Sequence, residues 1–128
     1  MFPLRVSDIQ INIKSKRLIG PINLQIEQNG ITILLGANGS GKTTLLEALH
    51  GLRKLSAGKV EWAISHALAA KEQTFVFKSP IMLRRTVSEN LAFPLKVRQI
   101  SKSVANAEVT MWAKKIGLEH KMKQQAVL

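Results

Sequence analysis

A chain of 128 residues, 45% of them hydrophobic, has enough apolar material for one domain with a core and too little for two. Nineteen basic residues against eight acidic ones give a formal charge of +11, which leaves three readings: nucleic-acid binding, attraction to an anionic membrane, or an uneven share of a larger domain. The basic residues are dispersed and only 5% of the chain is aromatic, so no nucleic-acid partner is expected; absent cysteine removes disulfides and thiolate metal sites, and the lack of a long apolar run removes direct membrane insertion.

Leu4 to Ile13 alternates apolar and polar for much of its length, as a half-buried strand does, and Lys14 to Arg17 reads as a turn. Ile22 to Glu27 alternates again. Asn29-Gly30 is a turn signal that leads into Ile31-Thr32-Ile33-Leu34-Leu35, an apolar run expected to be a buried strand. The first third therefore predicts a small antiparallel layer feeding a buried strand.

That strand delivers the chain to Gly36-Ala37-Asn38-Gly39-Ser40-Gly41-Lys42-Thr43-Thr44, which fits G-x-x-x-x-G-K-[ST] in full. Glycines at 36, 39 and 41 permit backbone conformations that turn successive N–H groups toward one point. A helix opening near Gly41 adds its unpaired N–H groups and the positive end of its dipole, which together favour a phosphate chain. Lys42 is the charge expected to reach the β- and γ-phosphates. Thr43 is the expected Mg²⁺ ligand, and Thr44 a further phosphate donor. The motif predicts binding of a nucleoside triphosphate.

Leu45, Leu46, Leu49 and Leu52 mark one face of the following helix, with Gly51 as its stop and His50 a capping or surface residue. After a turn at Ser56-Ala57-Gly58, Lys59 to Ile64 alternates as a short strand; residues 65–72 are weakly determined, and Gln73 to Phe77 reads as another buried strand ended by Pro80. Thr86 and Glu89 have the spacing of a capping box opening a helix that Pro94 limits or kinks. Ala105, Val109, Trp112 and Ile116 share a later helical face that Gly117 ends, with Trp112 expected in the core.

These stretches together resemble the ATP-binding subunit of ABC transporters from about residue 4 onward. Beyond the phosphate loop the resemblance rests on Gly51-Leu52 with Ser56 to Val60, and on Phe75 to Pro80 followed by Thr86 to Leu91, which is similar to the family's Q-loop and the helix after it. Phe77 to Leu95 look most like importers of small anions such as tungstate, molybdate or phosphate. The resemblance implies an α/β P-loop NTPase fold, as a partial nucleotide-binding domain. Its core with the antiparallel β layer would occupy about residues 1–79, and the start of a helical subdomain about 80–128. It also implies ATP and Mg²⁺ as cofactors. Its partners would be a membrane-spanning transporter subunit near Lys78 to Leu95, with Met82, Leu83, Arg84 and Arg85 as contacts, and a second nucleotide-binding subunit. The site would then lie in the cytoplasm, at the inner face of the membrane.

The chain departs from the family pattern in three places. Lys78 stands where the family has glutamine, so an acceptor for Mg²⁺ becomes a cation. Ile13 stands where an aromatic residue stacks on adenine, which removes the specific stacking contribution. The family's signature loop, its strand ending in Asp-Glu and its switch histidine have no counterpart before Leu128, and the only aspartate is Asp8. The expectation is an N-terminal part of the domain that binds ATP and hydrolyses little or none alone. Two rivals are a P-loop kinase of small molecules, which needs an acidic base near the loop, and a non-catalytic basic protein that binds nucleic acid.

Overall fold

The computed structural model describes residues 1–28, 30–79 and 81–127, so the predicted turn residue Asn29 and the strand-breaking Pro80 lie outside the described residues. The chain divides into two compact units, Met1–Phe75 and Val76–Leu128. Each has its own helices, and the first holds the sheet.

In the first unit, strand β1 (Leu4–Ile13) and strand β2 (Lys16–Ile26) form an antiparallel hairpin, and strand β3 (Ala57–Trp62) pairs antiparallel with the other edge of β1. Leu4, Val6, Ile9 and Ile11 of β1 are buried. The spacing between Val6 and Ile9 is out of phase with a period of two, and a bulge restores it: the register shifts there, with Asp8 at φ 48°. Asn23 holds the bulge by accepting from the Asp8 amide at 2.8 Å and donating to its carboxylate at 2.7 Å. On the other side Gly58, at φ 79°, packs against the Asp8 carbonyl where a Cβ has no room. Ala57 and Gly58 of the turn predicted at Ser56 to Gly58 thus begin β3, and the glycine serves close approach.

Helix α1 (Lys42–His50) lays Leu45 and Ala48 into the cluster formed by Leu4, Val6, Ile9, Ile11 and Ile19. Leu49 packs against the same cluster, but Leu46 and Leu52 face outward. The apolar face expected from four leucines is therefore narrower, because one sheet covers one side of the helix. Each leucine fully removed from water adds about 2 kcal/mol to the hydrophobic term, so Leu45 matters most here. Gly51 ends the helix in the left-handed conformation, φ 86°, donating its amide to Ala48 O at 3.1 Å. Within residues 65–72, weakly determined in sequence, helix α2 (His66–Glu72) forms, with Ala69 buried.

Two expected strands do not form. Residues 31–35 join no ladder or bridge among the described residues, and Ile31, Ile33, Leu34 and Leu35 are 91%, 72%, 40% and 84% exposed. Residues 73–77 are likewise outside any strand, with Val76 exposed. A strand exists by pairing, and the described residues offer these segments no neighbour.

The second unit is built on helix α3 (Val87–Val97) and helix α4 (Lys102–Lys115). The predicted capping box is present: Thr86 Oγ1 accepts from the Glu89 amide at 3.2 Å, and the Glu89 carboxylate accepts from the Thr86 amide at 2.9 Å. Pro94 lies inside α3, which continues to Val97. Ala105, Val109 and Ala113, spaced by four, form the buried stripe of α4. Trp112 and Ile116, expected in that stripe, are about half exposed; Trp112 borders a shallow apolar groove of about 250 Å³ with Leu91, Pro94, Leu95 and Val109. Small alanines let the two helices approach, which leaves the indole at the margin, with Lys115 Nζ 4.8 Å from its ring centre.

Candidate phosphate-binding site

Residues 36–41 form an exposed loop between the segment 31–35 and α1. Gly39 and Gly41 have φ of 79° and 91°, values an L-residue adopts at a cost, while Gly36 is extended. At Gly36 the reason for glycine is space, since a Cβ would come within 2.8 Å of Ser40 Oγ. At Gly41 both reasons act together: besides its positive φ, a Cβ would collide with Ile19 of β2. That contact seats the loop's exit and the first turn of α1 on the antiparallel sheet. The Ser40 amide donates to Ala37 O at 3.2 Å, closing the loop's tip as a turn.

Lys42 Nζ lies 2.7 Å from both Gly36 O and Ala37 O, folded back across the loop it follows. An ammonium has three donors, so two bonds to carbonyls leave one for an incoming oxygen anion. The first turn of α1 contains no acidic residue and no side-chain cap. Its leading N–H groups and dipole therefore meet no internal anion, which is the state a phosphate requires. Thr43 is exposed and Thr44 half-buried in that same turn. The nine predicted residues, Gly36 to Thr44, thus run through the loop into the first turn of α1, with residues 36–40 and Thr43 exposed and Gly41, Lys42 and Thr44 half-buried.

The residues fit a nucleoside triphosphate with Mg²⁺. Among the described residues no three His, Cys, Asp or Glu side chains gather to hold a metal. Mg²⁺ does not need such a cage when phosphate oxygens, water and one hydroxyl make its shell. Ile13 sits half exposed at the end of β1, paired with Lys16. Asp8, the chain's only aspartate, is engaged with Asn23 in the bulge. His50 is neither cap nor surface: both imidazole nitrogens are buried with no hydrogen-bond partner among the described residues, and its ring meets Phe75 edge-on at 5.5 Å.

In the second unit Lys78 is exposed. Asn90 is a residue the sequence reading missed. Its Oδ1 accepts from the Leu83 amide at 2.9 Å, and its Nδ2 lies within 3.2 Å of the carbonyls of Leu83, Arg85 and Thr86. One amide thereby fixes the turn that carries Met82 to Arg85, whose far side is bound by the Ala126 amide donating to Arg85 O. The signal available in sequence was an asparagine one turn inside a helix, where propensity disfavours it. Glu89 has its pKa lowered below the usual 4.5, chiefly by the backbone bond from Thr86 and then by the Thr86 hydroxyl.

The family model described as ABC transporter matches residues 19–127. The tungstate uptake system ATP-binding protein TupC of Peptoclostridium acidaminophilum is 31% identical over 124 residues, covering 96% of this chain and 58% of that protein. A sulfate/thiosulfate import ATP-binding protein, CysA of Rhodopseudomonas palustris, is 38% identical over 109 residues, covering 80% of this chain and 31% of that protein. A solved ATP-binding subunit of an ABC transporter superposes on 97% of the chain and 54% of its own, with TM-score 0.79 at 16% identity, which establishes the shared fold. The chain thus spans about 31% to 58% of the length of these relatives. Loop, seating sheet and helical second unit agree with the matches: the chain belongs to the ABC transporter family and carries the fold of its ATP-binding subunits.

Proposed function

We propose that residues 36–44 bind ATP with Mg²⁺ as part of a subunit that powers solute import through a membrane-spanning partner, at the cytoplasmic face of the membrane. The observation that carries this reading is Lys42, an ammonium held over the loop by Gly36 O and Ala37 O in front of a helix N-terminus free of acidic residues. In the bound state Lys42 would turn its remaining donor to the phosphates, the loop amides would hold their oxygens, and the Thr43 hydroxyl would complete the Mg²⁺ shell. Mg²⁺ supplies charge neutralisation between the phosphates.

Two similar proteins are named for tungstate and for sulfate or thiosulfate, which supports a small oxyanion as the solute. Met82, Leu83, Arg84 and Arg85, held by Asn90, are the residues we assign to the membrane-spanning partner, and a second nucleotide-binding subunit would complete the assembly. Among the described residues no helix is long and apolar enough to cross a membrane. Hydrolysis needs a positioned water as well as a cradle, and Asp8 is already paired with Asn23.

The test is equilibrium binding of ATP to the 128-residue chain with and without Mg²⁺, beside Thr43→Ala, with phosphate release followed in the same samples. Binding that strengthens with Mg²⁺ in the wild type, loses that dependence in Thr43→Ala, and produces no phosphate supports the reading. Phosphate release at a steady rate, or Mg²⁺ dependence unchanged in the variant, contradicts it.

A further inference from the structure

The closed end of the β1–β2 hairpin lies beside the phosphate loop. A Cβ on Gly41 would meet Ile19 and come within 3.8 Å of Leu18 O, so the loop's exit rests on β2 close to the hairpin turn. Ile11 and Ile19 are ladder partners buried in the cluster that α1 covers. Ile13 follows Ile11 by two residues and so shares that face, and its own ladder partner is Lys16. Arg17 pairs with Asn12 and belongs to the opposite face. Lys16 stands roughly 10 Å along the strand from Ile19, within the span of a nucleoside whose phosphates lie at the loop.

Lys16 is exposed, and among the described residues no ion pair engages it. Its ammonium carries three donors and no acceptor, while Ile13 beside it adds an apolar edge and no hydrogen-bonding group. A side chain that only donates reads acceptors. Guanine offers O6 and N7 side by side, whereas adenine sets N7 beside an amino group that is itself a donor. We propose that this site takes guanosine as well as adenosine triphosphate, and that Lys16 sets the balance between them by donating to the edge of the base. The inference rests on the nucleotide reading of residues 36–44 and adds to it the residue that selects the base.

The test is equilibrium binding of GTP, ATP and inorganic triphosphate, all with Mg²⁺, to the wild type, Lys16→Gln and Arg17→Gln, with amide exchange in β1 and β2 confirming the fold of each. The wild type is expected to bind GTP at least as tightly as ATP. Lys16→Gln should shift the ratio of GTP to ATP affinity toward ATP by about fivefold or more, because a glutamine amide matches N6 and N7 of adenine. Arg17→Gln removes a cation on the other face and should leave the ratio unaltered. Inorganic triphosphate has no base and reports the loop alone. The proposal is overturned if the wild type binds GTP more weakly than ATP, if Lys16→Gln leaves the ratio unchanged, or if Arg17→Gln shifts it equally. Where triphosphate binds and the ratio fails to respond, the base assignment falls and the loop stands. Where the folded wild type binds none of the three, the nucleotide reading itself falls, and this inference with it.

Discussion

Lys42 is held in place by the loop it follows. Its bonds to Gly36 O and Ala37 O keep the ammonium at the loop mouth, where a charge-assisted bond contributes about 1.5–3 kcal/mol, or roughly 10- to 150-fold in affinity. Gly41 is constrained from two sides, by φ 91° and by Ile19 behind it. Gly41→Ala should therefore destabilise the first unit by more than about 1 kcal/mol in a denaturant titration, through strain at positive φ plus displacement of Ile19. Ile13 allows a gain instead: if it faces the base, Ile13→Tyr should tighten ATP binding about 2- to 10-fold, the worth of an aromatic stack at roughly 0.5–1.5 kcal/mol. Unchanged affinity in that variant removes Ile13 from the site. Asp8 and Asn23, by contrast, serve the bulge alone, a role that no local pattern around Asp8 announces because its partner is fifteen residues away.

Among the elements, those governed by near neighbours were legible and those governed by distant ones were not. β1 spans Leu4 to Ile13 as its alternation indicates, and the Thr86–Glu89 box forms as its spacing requires. That box also sets a pH dependence. Because the Glu89 pKa is lower folded than unfolded, its contribution is present above the ordinary value near 4.5 and is lost as pH falls through the lower folded value. Helicity of α3 should accordingly fray on acidification in that window, and Glu89→Gln should flatten the response; a titration followed by carbon chemical shifts reads both. Thr86→Ala removes the cap itself and should cost about 1 kcal/mol at neutral pH. Residues 31–35 have a strand's composition and no strand, since no described residue pairs with them. α2 was missed for the opposite reason: His66 to Glu72 has good helix formers, Ala67, Leu68, Ala69, Ala70 and Lys71, with too short a run to show a periodicity. The packing face of α4 was misjudged at Trp112 because spacing identifies a stripe and cannot say how wide the neighbouring helix leaves it.

At the scale of the molecule, the two units carry different features. Met1–Phe75 carries the glycine-rich loop seated on an antiparallel sheet, and Val76–Leu128 carries a capped, Asn90-braced turn on a helical pair. The loop's conformation was legible because its sequence is local: Gly39 and Gly41 take the positive φ that the spacing of glycines suggests. What lies around it was less so, because the seating contact of Gly41 on Ile19 depends on chain far away in sequence. The central claim is that this loop binds nucleotide through Lys42. The most direct measurement is an equilibrium ATP-binding isotherm in Mg²⁺ for the wild type and for Lys42→Ala, with exchange in β1 and β2 confirming that both are folded. Saturable binding by the wild type, weakened at least about tenfold in the variant, is the predicted result. No binding by the folded wild type, or equal binding by Lys42→Ala, would contradict it.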